Sequence, residues 1–350
     1  MKQSTALHYF LGANSASGFY SLYDQFCCRE SDYLYIIKGG PGTGKSTFMR
    51  RIGQEAENRG LDVEYILCSG DPDSLDGVYI PELHKGWVDG TAPHALEPKI
   101  FGISAEYLNL GKFCRQNLLQ TNTDEIKLVH NEYKAHYERA YSFLHAAATI
   151  FRTPPVTLSS KNEEKLRKRA QSKISRELHY FAPQAEHTVR FLRAFSCEGC
   201  TIAPTTTNSL CNRLCVLESD YLLEQIFFQE ILQEIKNSNA PCIIAPNPLC
   251  PDMIDAILLP LESLGFFASY AVPSFDGIVR TIHLDCYLEN TNRKSQKHHR
   301  QLLDALMQHA YEELSLAKSL HDRLEAFYRP ALDTEALNQY TDLMIHQIFS

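Results

Sequence analysis

The sequence predicts an α/β protein of two tandem, duplicated halves. Each half is a mainly parallel sheet with flanking helices and a C-terminal helical extension. Three observations predict this: strand-like apolar runs alternate with amphipathic helical runs, the order of segments comes twice, and a glycine-rich stretch joins one such strand to its helix.

The repeat comes first because it fixes the boundaries. "FLGANSASG" at 10–18 matches "FLRAFSCEG" at 191–199 in five of nine positions, an offset of 181. "PDSLDGVYIP" at 72–81 matches "PDMIDAILLP" at 251–260 in four positions, with three aliphatic exchanges and an offset of 179. Two matches in one order and nearly one register place the halves at 1–188 and 189–350.

Within each half the elements follow in the same sequence. The runs "YLYIIK" and "RLCVLE" are strands, rich in β-branched and aromatic residues. Each leads into an amphipathic helix, "KSTFMRRIGQEAENRG" in one half and "LEQIFFQEILQEIKNS" in the other. The strands "DVEYILC" and "PCIIAP" come next, then a short aliphatic segment, then "KGWVDG" and "LGFFAS". Helical sequence closes each half, over 112–152 and 160–180, and over 294–329 and 333–349. Tyr133, Tyr137, Tyr141 and Leu144 recur at helical spacing, the pattern of a core-packing stripe. The basic run from Lys165 to Lys173 reads as the solvated face of a connecting helix.

Composition sets outer limits. The 350 residues are 44% hydrophobic and 22% charged, a globular balance, and the net charge of −8 argues against an extended nucleic-acid surface. No apolar run reaches the length of a membrane span, and the N-terminus lacks a signal-peptide pattern, so the expected compartment is the cytoplasm. There, the eleven cysteines are expected to stay reduced. Cys197, Cys200, Cys211 and Cys215 have a spacing that resembles a zinc pattern, but Cys215 falls on a core strand and reads as a small hydrophobe.

The stretch "KGGPGTGKST" carries the chemistry. Gly39-x4-Gly44-Lys45-Ser46 fits the phosphate-loop (Walker A) pattern G-x-x-x-x-G-K-[ST], and it lies between a strand and a helix as that pattern requires. The expected cradle is Gly39, Gly40, Pro41, Gly42, Thr43, Gly44, Lys45, Ser46 and Thr47. Backbone N–H groups and the helix N-terminus would face the phosphates. Lys45 would reach the β- and γ-phosphates, and the Ser46 hydroxyl would ligate Mg²⁺. Asp89, closing "GWVDG", is the expected carboxylate behind the metal. Its rivals are Asp71, Asp73 and Asp76. The offset of 179 pairs Asp73 and Asp76 with Asp252 and Asp255, whereas Asp89 pairs with Ala268. The second half reads "ESDYLLEQIF" at the loop position, without the glycines or the lysine. Asp89 is therefore assigned to the phosphate site, and Asp76 to a turn or cap. Gly90 follows Asp89 where many hydrolases carry glutamate, which leaves His94 and Glu97 as candidates to position water.

In order, "FLGANSASGF", "IIKGGPGTGKST", "DPDSLDGVYIPEL" and "DGTAPH" resemble a group of uncharacterised bacterial P-loop ATPases built of two tandem P-loop domains. The resemblance is close over the first half and in outline over the second, where this chain departs from the group by lacking the loop. It implies ATP binding and ATPase activity, with ATP and Mg²⁺ at one loop per chain and no substrate or protein partner specified. Two other readings stay open. One is a small-molecule or nucleotide kinase with Asp71 or Asp73 as base; the other is a nucleotide-gated interaction module with negligible turnover.

Overall fold

The computed structural model describes residues 4–93, 96–98, 100–154, 156–178, 187–289 and 291–350. In chain order, the first half contains β1 (Ala6–Phe10), the hairpin β2 (Gly12–Ser15) and β3 (Gly18–Ser21), β4 (Tyr33–Lys38), α1 (Lys45–Asn58), β5 (Val63–Leu67), β6 (Leu75–Ile80), β7 (Lys85–Asp89) and β8 (Ala105–Asn109). Three helices follow: α2 (Gln116–Gln120), α3 (Thr123–Phe151) and α4 (Ser160–Ile174). The second half contains β9 (His187–Val189), the hairpin β10 (Arg193–Ser196) and β11 (Gly199–Ile202), α5 (Thr206–Leu210), β12 (Arg213–Glu218) and α6 (Glu224–Ser238). It ends with β13 (Cys242–Pro246), β14 (Ile254–Leu259), β15 (Leu264–Ala268), β16 (Ile278–His283), α7 (Arg293–Tyr328) and α8 (Thr334–Phe349).

Two six-stranded sheets result, ordered β1-β5-β6-β7-β4-β8 and β9-β13-β14-β15-β12-β16. Element by element, the two orders are the same. Both sheets are mixed rather than wholly parallel, because β6 and β14 run against their neighbours. These are the segments read only as short and aliphatic. Parallel neighbours need a crossover of a dozen or more residues, and the links on either side of β6 and β14 are too short for one.

The strands alternate faces as their sequences require. In β12, Leu214 enters the core shared with the first sheet, while Cys215 and Leu217 enter the core under α6. Phe227, Phe228 and Ile231 of α6 are buried there, each contributing about 1.5–3 kcal/mol relative to exposure. The halves join through bonds between equivalent positions. The Phe10 N–H donates to the Phe191 carbonyl at 2.9 Å, and the Phe191 N–H to the Phe10 carbonyl at 3.0 Å. The Ala16 N–H donates to Leu249 at 3.1 Å, and the Cys197 N–H to Gly70 at 3.4 Å.

The helical extensions cross over. α3 and α7 pack along each other, tied by Glu313 to His136 (2.7 Å) and Arg139 (2.8 Å). α4, from the first half, lies on α6 of the second, with Arg167 on Glu230 at 2.6 Å. α8, from the second half, lies on α1 of the first, where Arg51 pairs with Asp342 and Arg59 donates to the Phe349 carbonyl at 2.6 Å.

The basic face of α4 is largely engaged by carboxylates. Lys168 pairs with Glu164, and Lys173 with Glu177. Cys215 and Cys211 are buried while Cys200 is exposed, and no cluster of three or more metal-ligating side chains occurs among the described residues. No helix among them is long and apolar enough to cross a membrane.

Candidate phosphate-binding site

β4 runs straight into the glycine-rich loop, and α1 begins at Lys45. Gly42 (φ 66°) and Gly44 (φ 82°) hold left-handed conformations that turn the chain back to start the helix. Gly40 faces a neighbour instead: a Cβ there would lie 2.4 Å from the Tyr328 ring. Thr43 donates its hydroxyl to the Gly40 carbonyl at 2.8 Å, bracing the loop from within. The Lys45 ammonium lies inside the curl, donating to the carbonyls of Gly39 (2.9 Å) and Gly40 (3.0 Å).

Asp89 ends β7, the parallel neighbour of β4, with Ile37 opposite it in register. Its Oδ2 is 3.5 Å from Lys45 Nζ. Its Oδ1 accepts from the Thr91 N–H (2.8 Å) and hydroxyl (2.6 Å), which fixes the carboxylate's orientation. Ser46 Oγ accepts from the Leu75 N–H at 2.9 Å, so the first turn of α1 is tied to the start of β6. A hydroxyl has two acceptor lone pairs, and one remains for a metal. The loop lysine, the Ser46 hydroxyl and the Asp89 carboxylate thus converge as a Mg²⁺–triphosphate site requires, and the residues fit that ligand.

A cavity of about 760 Å³ contains the whole loop from Gly39 to Thr47, with Asp89 and Thr91. Its other walls were not legible as site residues. Tyr133, Tyr137 and Tyr141 line it, so the stripe packs in the core as its spacing predicts, with Leu144 fully buried, and its tyrosines also face a cavity. From α7 come His321, Glu325 and Tyr328, with Arg329 just after its end, contributed by the second half to the site of the first. Burial lowers the pKa of His321, which favours the neutral ring near neutral pH. Helical periodicity marks the apolar face of α3 and α7, but it cannot say what that face covers.

The rival carboxylates separate. Asp73 is exposed and lies outside the cavity lining. Asp71 lines the cavity with Lys318 at 3.5 Å. Asp76 corrects the sequence reading: it is neither turn nor cap but a buried residue of β6 that lines the cavity and accepts from the Tyr23 hydroxyl at 3.0 Å. The β6–β7 ladder ends with Gly77 opposite Val88; Asp76 and Asp89 are the residues just beyond it, and both line the cavity. Glu97 is exposed and accepts from the Tyr107 hydroxyl, outside the cavity. His94 lies outside the described residues.

The corresponding place in the second half is filled. Between β12 and α6 the chain is one residue shorter than between β4 and α1. The helix starts at Glu224, which is offset 179 from Lys45, the first residue of α1. Leu222 keeps a left-handed turn (φ 62°), and Ser219 Oγ accepts from the N–H groups of Tyr221 (3.0 Å) and Leu223 (3.3 Å). Tyr221, Leu223 and Glu224 are buried. Glu224 is therefore not a surface charge; burial pushes its carboxyl up to about 7. Asp255, equivalent to Asp76, lies opposite Ala268 by the β14–β15 register. It is held by Arg193, with the Nη2 contact at 3.2 Å, and by Asn247 Nδ2 at 2.8 Å. The repeat sets Gly12 at the position of Arg193.

In comparisons with known proteins, no family model, no curated protein and no solved structure matches this chain.

Proposed function

We propose that the chain is a P-loop protein of two duplicated halves that binds one MgATP, in the first half, and transfers its terminal phosphoryl group slowly. One observation carries this reading: the strand–loop–helix cradle with Lys45 at the helix start and, on the neighbouring parallel strand, Asp89 3.5 Å from its ammonium. The duplication rests on the sequence repeat together with the common strand order.

In this reading, the loop N–H groups and the N-terminus of α1 hold the phosphates. Lys45 exchanges the loop carbonyls for phosphate oxygens, a charge-assisted and stronger partner. Ser46 and Asp89 hold Mg²⁺, which when bound would neutralise charge on the phosphates. Turnover is slow because Gly90 follows Asp89 where a water-positioning carboxylate would otherwise stand. The setting is cytoplasmic, with ATP as ligand and a protein or small-molecule partner still to be found. Tyr221, Leu223 and Glu224, buried in the second loop, support a single site per chain.

Calorimetric titration with a non-hydrolysable ATP analogue and Mg²⁺ tests the reading, with saturation expected at one per chain. Lys45→Ala should abolish binding while the thermal midpoint holds. Asp89→Asn should slow Mg²⁺-dependent turnover about 10–100-fold, the equivalent of a charged contact worth ~1.5–3 kcal/mol. Undiminished affinity in Lys45→Ala would remove the reading.

A further inference from the structure

The cavity lining extends well beyond the phosphate loop, and the residues beyond the loop have their own construction. Ser46, placed for the metal, is tied to Leu75 at the start of β6, so the cavity continues from the terminal-phosphate side of the loop toward Asp76. There it meets Asn14 and the three tyrosines of α3. Asn14 closes the far wall, donating to the carbonyls of Phe195 (2.8 Å) and Ser69 (3.4 Å) and accepting from the Tyr141 hydroxyl (3.1 Å). The tyrosine rings stand 5.1 and 5.9 Å apart between centroids, a continuous aromatic wall with hydroxyl groups. Transfer to bulk water needs no such chamber.

The second half supplies the control. Its equivalent of Asp76, Asp255, is neutralised from within by the Arg193 guanidinium, which also lies 5.2 Å from the Tyr270 ring. In the first half this position is Gly12, and even a Cβ there would come 2.4 Å from Phe19, a lining residue. One half sets a guanidinium at this position, against its β-strand aspartate. In the other, the Phe19 ring lies where a side chain at Gly12 would start.

Building on the MgATP reading, we propose that this chamber is a second-substrate site for an uncharged, ring-shaped molecule bearing hydroxyl groups, a sugar or a nucleoside, and that Asp76 is the base for its phosphorylation. The tyrosine faces suit a ring and their hydroxyls suit its hydroxyls. An anionic acceptor is disfavoured, because a triphosphate, Asp71 and Asp76 already crowd the space, and each like-charge pair at ~4 Å costs about 1–4 kcal/mol. In the step, the acceptor oxygen forms a bond to the γ-phosphorus as the bond from that phosphorus to the β–γ bridging oxygen breaks. The acceptor's proton passes to the Asp76 carboxylate, and ADP leaves with the electron pair of the broken bond. Asp76 and Asp89 both line the cavity, so base and metal carboxylate face the same space.

The experiment incubates the full chain with MgATP in two arms, one with the four ribonucleosides and one with aldohexoses and inositol. It follows ADP, inorganic phosphate and phosphorylated product by phosphorus NMR. The expected result is a phosphorylated product in one arm, which identifies the source. Asp76→Asn should lower its formation about a hundredfold or more, while affinity for the non-hydrolysable analogue stays within about threefold by calorimetry and the thermal midpoint confirms folding. Tyr137→Trp, which fills the chamber from the opposite wall, should raise the acceptor KM at least about tenfold. If the analogue binds but both arms give only inorganic phosphate at the rate seen without acceptor, the acceptor site is overturned and the phosphate-loop reading stands. If the analogue does not bind, both fall.

Discussion

Glu224 is a carboxyl at a helix N-terminus, where a positive dipole end ordinarily favours the ionised form. Burial wins here. The side chain is wholly enclosed, its Oε2 has no hydrogen-bond partner, and Tyr270 and Gln225 give Oε1 only long contacts of 3.4 and 3.5 Å. With Asp255 nearby adding like charge, the carboxyl titrates at about 7 instead of near 4.5. Between those values the folded state holds a proton that the unfolded state has released, so stability falls as pH rises from about 4.5 to about 7. Glu224→Gln should flatten that part of the profile and add stability above pH 7, up to about 3 kcal/mol. Urea denaturation at pH 5, 6, 7 and 8 checks it; a profile unchanged by the substitution would mean the carboxyl is ionised in the fold. The same residue shows a limit of reading sequence. Glu218, Asp220 and Glu224 look alike in "ESDYLLEQ", yet the first is exposed and the last is core.

At the scale of elements, α7 joins two places that the sequence keeps apart. Near its C-terminus, Tyr328 and Glu325 press on Gly40 and Gly42 of the loop. Near its N-terminus, Gln296 donates to the Asp220 carbonyl at 2.6 Å, with Arg300 3.7 Å from the Asp220 carboxylate. The two contacts are about 48 Å apart at 1.5 Å per residue. A triphosphate bound at the loop as proposed would push on one end of a helix whose other end holds the second half's loop. Hydrogen exchange at amides 293–300 should therefore slow or quicken severalfold when the MgATP analogue binds; no change there would mean that α7 absorbs the displacement locally. The loop, Lys45 and Ser46 were legible because they stand in adjacent residues at fixed spacing, and Asp89 because the second half has Ala268 in its place. Asp76 was not, because "DPDSLDG" carries turn residues and only the fold brings its aspartate into the cavity that Asp89 lines. The tyrosine stripe was legible as a buried face but not as a wall, since periodicity does not distinguish a neighbour from a cavity.

For the molecule as a whole, the exchange of α4 and α8 means that neither half is complete by itself. A chain ending near 182 keeps the loop but lacks the α8 cover on α1, where Leu337 and Ile348 join the core. The remaining fragment lacks α4, whose Leu166, Ala170 and Ile174 fill the core under α6. Each lost apolar side chain removes about 1.5–3 kcal/mol, so several together exceed the margin of a typical domain. Expressed separately, 1–182 and 183–350 should be insoluble or unfolded by circular dichroism; co-expressed, they should co-purify and bind the ATP analogue. A soluble, folded 1–182 fragment would show that α8 is dispensable.

The reciprocal bonds of Phe10 and Phe191 account for which letters of the repeat are shared. In "FLGANSASG" and "FLRAFSCEG" the identities are Phe, Leu, Ala, Ser and Gly. Phe10 and Phe191 bond each other, and the carbonyls of Leu11 and Leu192 accept equivalent hairpin bonds from Leu22 (2.8 Å) and Ala203 (2.7 Å). Ala13 and Ala194 are both fully buried. Ser15 and Ser196 each accept from the N–H two residues on, at 3.1 Å, and Gly18 (φ 92°) and Gly199 (φ 94°) hold the same left-handed turn. The differing letters include Gly12 against Arg193 and Asn14 against Phe195, and Asn14 lines the cavity, as does Phe19, whose ring lies against Gly12. What the two segments have in common is the grammar of an axis, where each side must answer the other in kind. What they do not have in common is vocabulary for the proposed ligand, which only one side would need.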